Sequence, residues 1–413
     1  MTTVPGALWE GPLDVSSFAW DSVVDAADAA QGLAAARGST STFATTPDLV
    51  TSSFAAVEHL RINGHQPEAW APLSGFFESA DGWVRLHGNY PHHRSAIETT
   101  FGVTGRDDLA DVLRRLPAAE VEDELTARGG IAVAARTEAE WREHPQAVAT
   151  AQDPWTTTTM SGERPSLPPA SMPMDGLRVL DLTRVIAGPT CSQLLACLGA
   201  DVLRIDAPQL PELLEAYLSN GMGKRSAALD LHTDRGTLGA LLSGADVVVL
   251  GYRPGALTPF GLDPDALAAE HPGLVVISLS AWGEHGPWAG RRGFDSIVQA
   301  ATGIGWRCGT TEHPGALPVQ ALDHATGYRM AAAALRLLAD HRGGVVRSSL
   351  TGAARELLSL PSTQRAPLAM TSATLRLPSP HGDLVVAPPP ITMDGQTLER
   401  PIGAYGASPA RWS

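Results

Sequence analysis

Two aspartates stand at the start of helical patterns, Asp323 in ALDHATGYRMAAAAL and Asp295 in GFDSIVQ. The plain reading of each is a helix cap. An aspartate is also ionised at neutral pH, and a helix N-terminus stabilises developing negative charge, so a reactive carboxylate is compatible with both positions. Basic residues that could meet a phosphate occur as the pair Lys224–Arg225 and in a strand-end loop at Arg253; a solvated surface pair is the plain reading of the former. His87, His92 and His93 have no third ligand at a supportive spacing, and neighbouring histidines point to different sides, so no metal site is expected. Cys191, Cys197 and Cys308 are odd in number and not spaced as metal ligands, which argues against a disulfide framework and for a reducing compartment. Cys191 and Cys197 lie in an apolar helical pattern and are expected to pack as small hydrophobes.

The elements that must position these residues fall into segments with different textures. Residues 1–69 read as a helical segment, with apolar recurrence at three- and four-residue intervals over Ser22–Ala36 and Pro47–Asn63. Residues 70–150 read as a small α+β domain: an Asp81-Gly82 turn, a strand through Trp83–His87, helices around Arg94–Phe101 and Arg106–Arg128, and a short strand at Ile131–Ala135. Residues 151–175 lack periodicity and are rich in Pro, Ser and Thr, which predicts a linker. From 176 to 413 short apolar strands (Val179–Leu182, Val202–Ile205, Val247–Leu250, Leu274–Ser280) alternate with amphipathic helices, ending in a long helix over Asp323–Leu338 and another over Ser348–Leu358. This alternation predicts an α/β fold: an open, mostly parallel sheet with helices on both faces, forming a large domain beside the smaller α+β one.

The 413 residues favour two domains over one, and 44% apolar content is enough for a sizeable core. A formal net charge of −14 argues against nucleic acid and anionic membrane as main partners. No run of about 18 apolar residues predicts a spanning helix, and the N-terminus has neither the basic nor the apolar region of a signal peptide, so a cytoplasmic location is expected.

The strand–turn–helix–strand from Val179 to Asp206 mimics a dinucleotide-binding unit, with an acidic residue near the ribose position. Its turn, Arg184-Val185-Ile186-Ala187-Gly188-Pro189, lacks the glycines that let a pyrophosphate approach the backbone, which counts against that ligand. The general rule survives: ligands of open α/β sheets bind beyond the carboxyl ends of the strands. Thr183–Pro189, Tyr252–Gly255 and Ala281–Pro287 are therefore expected around one crevice.

Several stretches taken in order, GLRVLDLTRVIAGPTCSQLLACLGADVLRIDAP, GKRSAALDL, ADVVVLGYRPGALTPFGLD, SLSAWGEHGPWAGRRGFDSIVQAATG and ALDHATGYRMAAAAL, resemble the class III CoA-transferases, whose relatives include the α-methylacyl-CoA racemases. Residues 71–94 and 135–146 resemble the two ends of that family's small domain, placed here before the large domain, and 366–413 resemble its final return segment. The resemblance thus implies a permutation-like order, which surface-lying termini tolerate.

The resemblance implies covalent catalysis by Asp323. Its carboxylate attacks a donor thioester to give a mixed anhydride, CoA thiolate converts this to an aspartyl thioester, and an acceptor acid reverses the sequence. Asp295 is then an acidic residue near the reacting centre. Racemases of the family carry His where this chain has Phe294, so transfer is favoured over two-base proton exchange. Lys224 and Arg225 match the family's nucleotide-binding segment, Arg253 in its strand-end loop is a further candidate for CoA phosphates, Tyr252 matches an aromatic that can stack on adenine, and Val185 and Ile186 match the loop that lines the CoA channel. CoA and acyl-CoA are substrates, with no permanently bound cofactor, a carboxylic acid is the co-substrate, and an interlocked homodimer is the expected assembly. The chain departs from the family pattern at Gly251, Pro259 and Ala207-Pro208, and has no clear glycine loop before Phe76. An acyl-CoA isomerase and a non-catalytic CoA-binding subunit are the alternatives.

Overall fold

The computed structural model describes residues 3–361 and 365–413. Its central feature is a seven-stranded sheet in the order Thr156–Glu163, Arg342–Ser349, Val275–Ser280, Val247–Leu250, Arg178–Leu182, Asp201–Asp206, Lys224–Ala228. Thr156–Glu163 runs antiparallel to its neighbour, and the other strands run parallel. Alternate side chains of the strands feed two cores. Val179, Val202, Val249 and Ile277 pack under the helices Val15–Ala36, Ala187–Cys197 and Ala321–Ala339. Leu180, Leu203, Val248 and Val276 pack under the helices Arg235–Ser243 and Pro264–Glu270. Burial on both faces is why these strands read as unbroken apolar runs. Among the described residues, no helix is long and apolar enough to cross a membrane.

The chain leaves Arg178–Leu182 in one direction across the sheet, through Asp201–Asp206 to Lys224–Ala228. From Val247–Leu250 it goes the other way. The crevice outside the carboxyl ends of these two adjacent strands is therefore the point where the topology reverses, the usual ligand position in such sheets.

A second unit has its own core, formed by Phe77, Val84, Leu86, Ile97, Leu109, Val121 and Leu125. It consists of an antiparallel sheet, Gly75–Glu78, Trp83–Leu86 and Ala132–Ala134, with Trp83–Leu86 central, and three helices, Pro91–Phe101, Arg106–Leu113 and Ala118–Ala127. The N-terminal segment joins the C-terminal one: Phe43–Ala44 pairs with Thr392–Met393, and Arg61–Ile62 with Gly382–Val386.

Three local expectations are corrected, and one strand was not expected. The stretch expected to be a linker supplies the edge strand Thr156–Glu163. A run of four threonines has high strand propensity, and an edge strand needs no apolar alternation when its outer positions are exposed. The single helix expected over Arg106–Arg128 is two, because Pro117 disfavours helical geometry in the residue before it. The helix over Pro47–Asn63 breaks at Ala55 into Pro47–Phe54 and Ala56–His59. The strand Arg342–Ser349 escaped detection because Gly343 and Gly344 interrupt it. A Cβ on Gly344 would lie 2.6 Å from the Thr159 carbonyl oxygen, so the glycine is there to let two backbones approach.

Candidate active site

Asp323 is the third residue of the Ala321–Ala339 helix, and Gln320 occupies the cap position without a side-chain cap bond. This helix is buried between the Val15–Ala36 and Ala187–Cys197 helices. Gly327 allows the latter contact, since a Cβ there would meet the Ala187 carbonyl oxygen at 2.5 Å. Asp323 is 5% exposed, and its carboxylate has no hydrogen-bond or ion-pair partner among the described residues. It is therefore not used as a cap.

Asp295 is fully buried at the first position of the Asp295–Thr302 helix. Its Oδ2 accepts the backbone N–H of Asp323 at 3.0 Å, and its Oδ1 accepts from the Gln299 side chain. Gln299 is held in turn by the Leu317 N–H, which donates to Oε1 at 2.9 Å. Asp295 thus caps, from a neighbouring element, the helix that carries Asp323. Burial raises the Asp295 carboxyl to about 6, although the Asp323 N–H and Gln299 bonds pull it down. Burial, and then the charge of Asp295, hold the Asp323 carboxyl well above the usual carboxylate range.

Asp323 lines two cavities, of about 310 and about 410 Å³, that share Tyr90, Val185, Ile186 and Phe294 as walls. The smaller lies toward Phe54, Trp70, Arg85, His87 and Leu317. The larger lies at the crevice beyond the strand ends and is lined by Arg184, Tyr252, Arg253, Arg291 and Arg292. The group at the junction of two spaces can touch ligands in both.

The shared wall is built with care. Val185 has φ of 70°, a left-handed backbone that a β-branched residue rarely adopts. Its N–H donates to Glu212 Oε2 at 3.0 Å. Glu212 is buried and also accepts from Tyr90 Oη at 2.5 Å and from Arg204 at 3.0 Å. Burial would lift this carboxyl, but the Arg204 and Arg184 charges and the Tyr90 bond hold it below its ordinary range. Tyr90 comes from the smaller unit and Glu212 from the larger. The bond between them fastens the strained Val185 turn where the two units meet, and strain of this kind persists only when its surroundings over-determine it.

Of the residues singled out in the sequence, Asp323, Asp295, Val185, Ile186, Tyr252 and Arg253 are brought together here; Lys224 and Arg225 are not. Lys224 is buried, with Nζ 3.2 Å from Asp181 Oδ2 and 2.8 Å from the Pro189 carbonyl oxygen. Arg225 is bidentate to Asp201 at 2.8 and 2.9 Å. Both cations are taken up by acidic partners within the sheet, and neither lines either of these cavities. The Arg253 guanidinium has no hydrogen-bond or ion-pair partner among the described residues. Arg291 and Arg292 were missed; the doublet directly before GFD in the sequence was the available signal. Arg291 pairs with Glu122 at 3.2 Å. Arg292, whose guanidinium is lowered by burial and then by the Arg253 charge, makes only a long bond to the Gly129 carbonyl oxygen. Arg85, also missed, is the buried cation of the smaller cavity.

The family model for CoA-transferase family III matches residues 174–391. The chain is 38% identical over 190 residues to the probable fatty acyl-CoA transferase Rv3272 of Mycobacterium tuberculosis, covering 42% of this chain and 48% of that protein. It is 34% identical over 158 residues to the succinate–glutarate CoA-transferase of Agrobacterium fabrum, covering 33% and 40%. The crystal structure of Rv3272 aligns over 46% of this chain and 58% of that one, at 34% identity and a TM-score of 0.42. The chain spans about half or less of the length of these curated relatives. The family model covers more than half of the 413 residues, with Asp295, Asp323 and the crevice loops all inside the matched range, and the chain belongs to CoA-transferase family III.

Proposed function

We propose that this chain moves CoA between an acyl-CoA thioester and a carboxylic acid, with Asp323 as the nucleophile. One observation carries the reading: the Asp323 carboxylate is buried, has no hydrogen-bond or ion-pair partner among the described residues, and lines both cavities. A carboxylate serving only the fold would be capped, paired or hydrogen-bonded. One freed from hydrogen bonds is a stronger nucleophile once ionised, because no donor has to be released before attack.

The larger cavity takes CoA. Its free Arg253 and weakly held Arg292 offer charge-assisted donors to phosphates, and Tyr252 offers a ring. The smaller cavity takes the acyl group or the acceptor acid. Attack by the carboxylate on the thioester carbonyl expels CoA thiolate and leaves an Asp323 anhydride. Thiolate attack on the Asp323 carbonyl then releases the donor acid and leaves the aspartyl thioester. The acceptor carboxylate and the same thiolate run these steps in reverse. Asp295 positions the nucleophile through the Asp323 N–H. An isomerase reading gains nothing from Phe294, which puts a phenyl ring, stacked on His87 at 4.1 Å, next to Asp295. The proposal includes a cytoplasmic location and a homodimer, the latter checked by light scattering on the chromatographed protein.

The test is covalent trapping. The chain is incubated with a panel of acyl-CoA thioesters and quenched with hydroxylamine, and the Asp323 peptide is weighed. A hydroxamate at Asp323 that is absent from an Asp323→Asn control supports transfer. Entry of solvent deuterium at the α-carbon without CoA exchange would point to an isomerase, and CoA binding with neither event to a non-catalytic subunit.

A further inference from the structure

We infer that Arg85 is a carboxylate-recognition residue, so that the acid handled in the smaller cavity carries a second carboxylate: a dicarboxylic acid or its CoA half-thioester. This deepens the transfer reading above and rests on it for the role of the first carboxylate.

Arg85 sits on the central strand of the smaller unit, flanked by Phe76 on one side and Val133 on the other. A paired strand is a rigid mount for a recognition residue. Its side chain is 9% exposed, and its Nε is buried with no hydrogen-bond partner. No hydrogen bond or ion pair to the guanidinium exists among the described residues. It is held instead between two aromatic faces, 4.8 Å from the Trp70 ring centroid and 5.0 Å from that of Phe76.

The other buried cations show how unusual this is. Arg204 is bonded to Asp206 and Glu212, Lys224 to Asp181, and Arg37 to the carbonyl oxygens of Pro168, Pro173 and Asp175, so each has hydrogen-bond partners that Arg85 lacks. A buried charge without an anion is costly, and folds avoid it except where a ligand supplies the missing group. Arg85 feels the charge of Asp295, but the two make no ion pair among the described residues, and both oxygens of Asp295 are engaged elsewhere. Arg106 adds a second positive charge while spending its own donors on the carbonyls of Pro72 and Ser74. Glu58, on the cavity lining, is exposed, and Glu215 is half-buried, so solvent screens both.

The remaining walls set the rest of the ligand. Phe54, Val57, Leu317 and Val319 are apolar, and Asn89 is satisfied by Ser74, Ala71 and Ala69. His87 is pulled down to about 3 by burial, so it adds no charge. The cavity thus offers a reactive carboxylate in Asp323, an apolar stretch, and one unsatisfied planar cation. A methylene chain with a carboxylate at each end fits that sequence: one end meets Asp323 chemistry, the other takes the Arg85 fork.

The test uses the full chain with glutarate and with pentanoate, which differ by the second carboxylate, titrated calorimetrically with and without CoA. Glutarate should bind at least about tenfold more tightly, the minimum for a charge-assisted contact. Arg85→Gln should remove that preference, and Arg85→Lys should restore part of it, with thermal melts showing that both variants fold. Equal binding, tighter pentanoate binding, no binding of either acid, or a preference that survives Arg85→Gln overturns the inference. Asp323 labelling by glutaryl-CoA and pentanoyl-CoA separates the two readings. Labelling without a dicarboxylate preference leaves transfer standing and removes the role of Arg85. An Arg85-dependent preference without labelling removes transfer and keeps the anion site.

Discussion

The backbone N–H of Asp323 donates to Oδ2 of Asp295 at 3.0 Å, so one buried carboxylate fixes the helix start that carries the other. The relationship is asymmetric. Asp295 has its hydrogen bonds and Asp323 has none on its carboxylate among the described residues, and burial penalises the charged form of both. The pair is arranged to keep one carboxylate free at a real cost in folding free energy.

The first prediction follows from that cost. Asp323→Asn keeps the shape and removes the buried charge. CoA transfer should fall by at least ~10³-fold, as for loss of a nucleophile. Stability should move the other way, rising by on the order of 1 kcal/mol, as relief of functional-site strain commonly does. Transfer assays and chemical denaturation on the same preparations check both signs.

Acidity gives the second. Carboxyl groups with raised pKa hold protons in the folded state that the unfolded chain releases at lower pH. Their stabilising contribution is present below the ordinary carboxylate pKa of 3.8 and is lost as pH rises through the folded value, about 6 for Asp295 and well above 3.8 for Asp323. Denaturation midpoints should therefore fall as pH rises across this window, and an Asp295→Asn, Asp323→Asn double variant should flatten the slope. Transfer should rise over the same window in the wild type, because the nucleophile must be ionised.

Legibility in the sequence followed what a one-dimensional pattern can encode. The strands buried on both faces announced themselves as apolar runs, and the strand-end loops that carry Val185, Tyr252 and Arg253 followed from the sheet rule. Arg342–Ser349 did not, because its glycines serve backbone approach rather than side-chain packing. Charge was legible, but its pairing was not. Lys224 looked available for phosphate, yet its partner Asp181 lies 43 residues away on another strand. Arg85 lies in the strand expected through Trp83–His87, and in the fold it borders a cavity closed by residues from both units.

Lys224 yields the third prediction. Asp181 accepts from Ser192, from Thr183 and from Lys224, all in a fully buried cluster. Lys224→Met leaves Asp181 without its cation and should destabilise the fold by ~3–5 kcal/mol. Arg225→Ala removes a half-exposed pair with Asp201 and should cost at most about 1 kcal/mol. Thermal melts check the ranking, and CoA affinity of Arg225→Ala should match wild type.

The fourth prediction places phosphate recognition on the arginines of the crevice lining and not on that pair. Among the described residues the Arg253 guanidinium has no partner to lose, and that of Arg292 has only a 3.4 Å bond to the Gly129 carbonyl oxygen. The two guanidiniums also repel each other, since the charge of Arg253 lowers the Arg292 pKa. Replacing either by alanine therefore relieves repulsion and leaves no buried acceptor orphaned, so the melting temperature should hold or rise slightly. CoA binding should weaken by about tenfold or more for each, the scale of a charged hydrogen bond. That loss should shrink as salt is raised, because partly exposed charges are screened. Dephospho-CoA, which lacks the 3′-phosphate, distinguishes which phosphate each residue meets: the variant whose contact is to that group should lose little further affinity for it. Titration of CoA and dephospho-CoA into both variants at low and high salt, beside Lys224→Met at a temperature where it remains folded, decides between the two sets of cations.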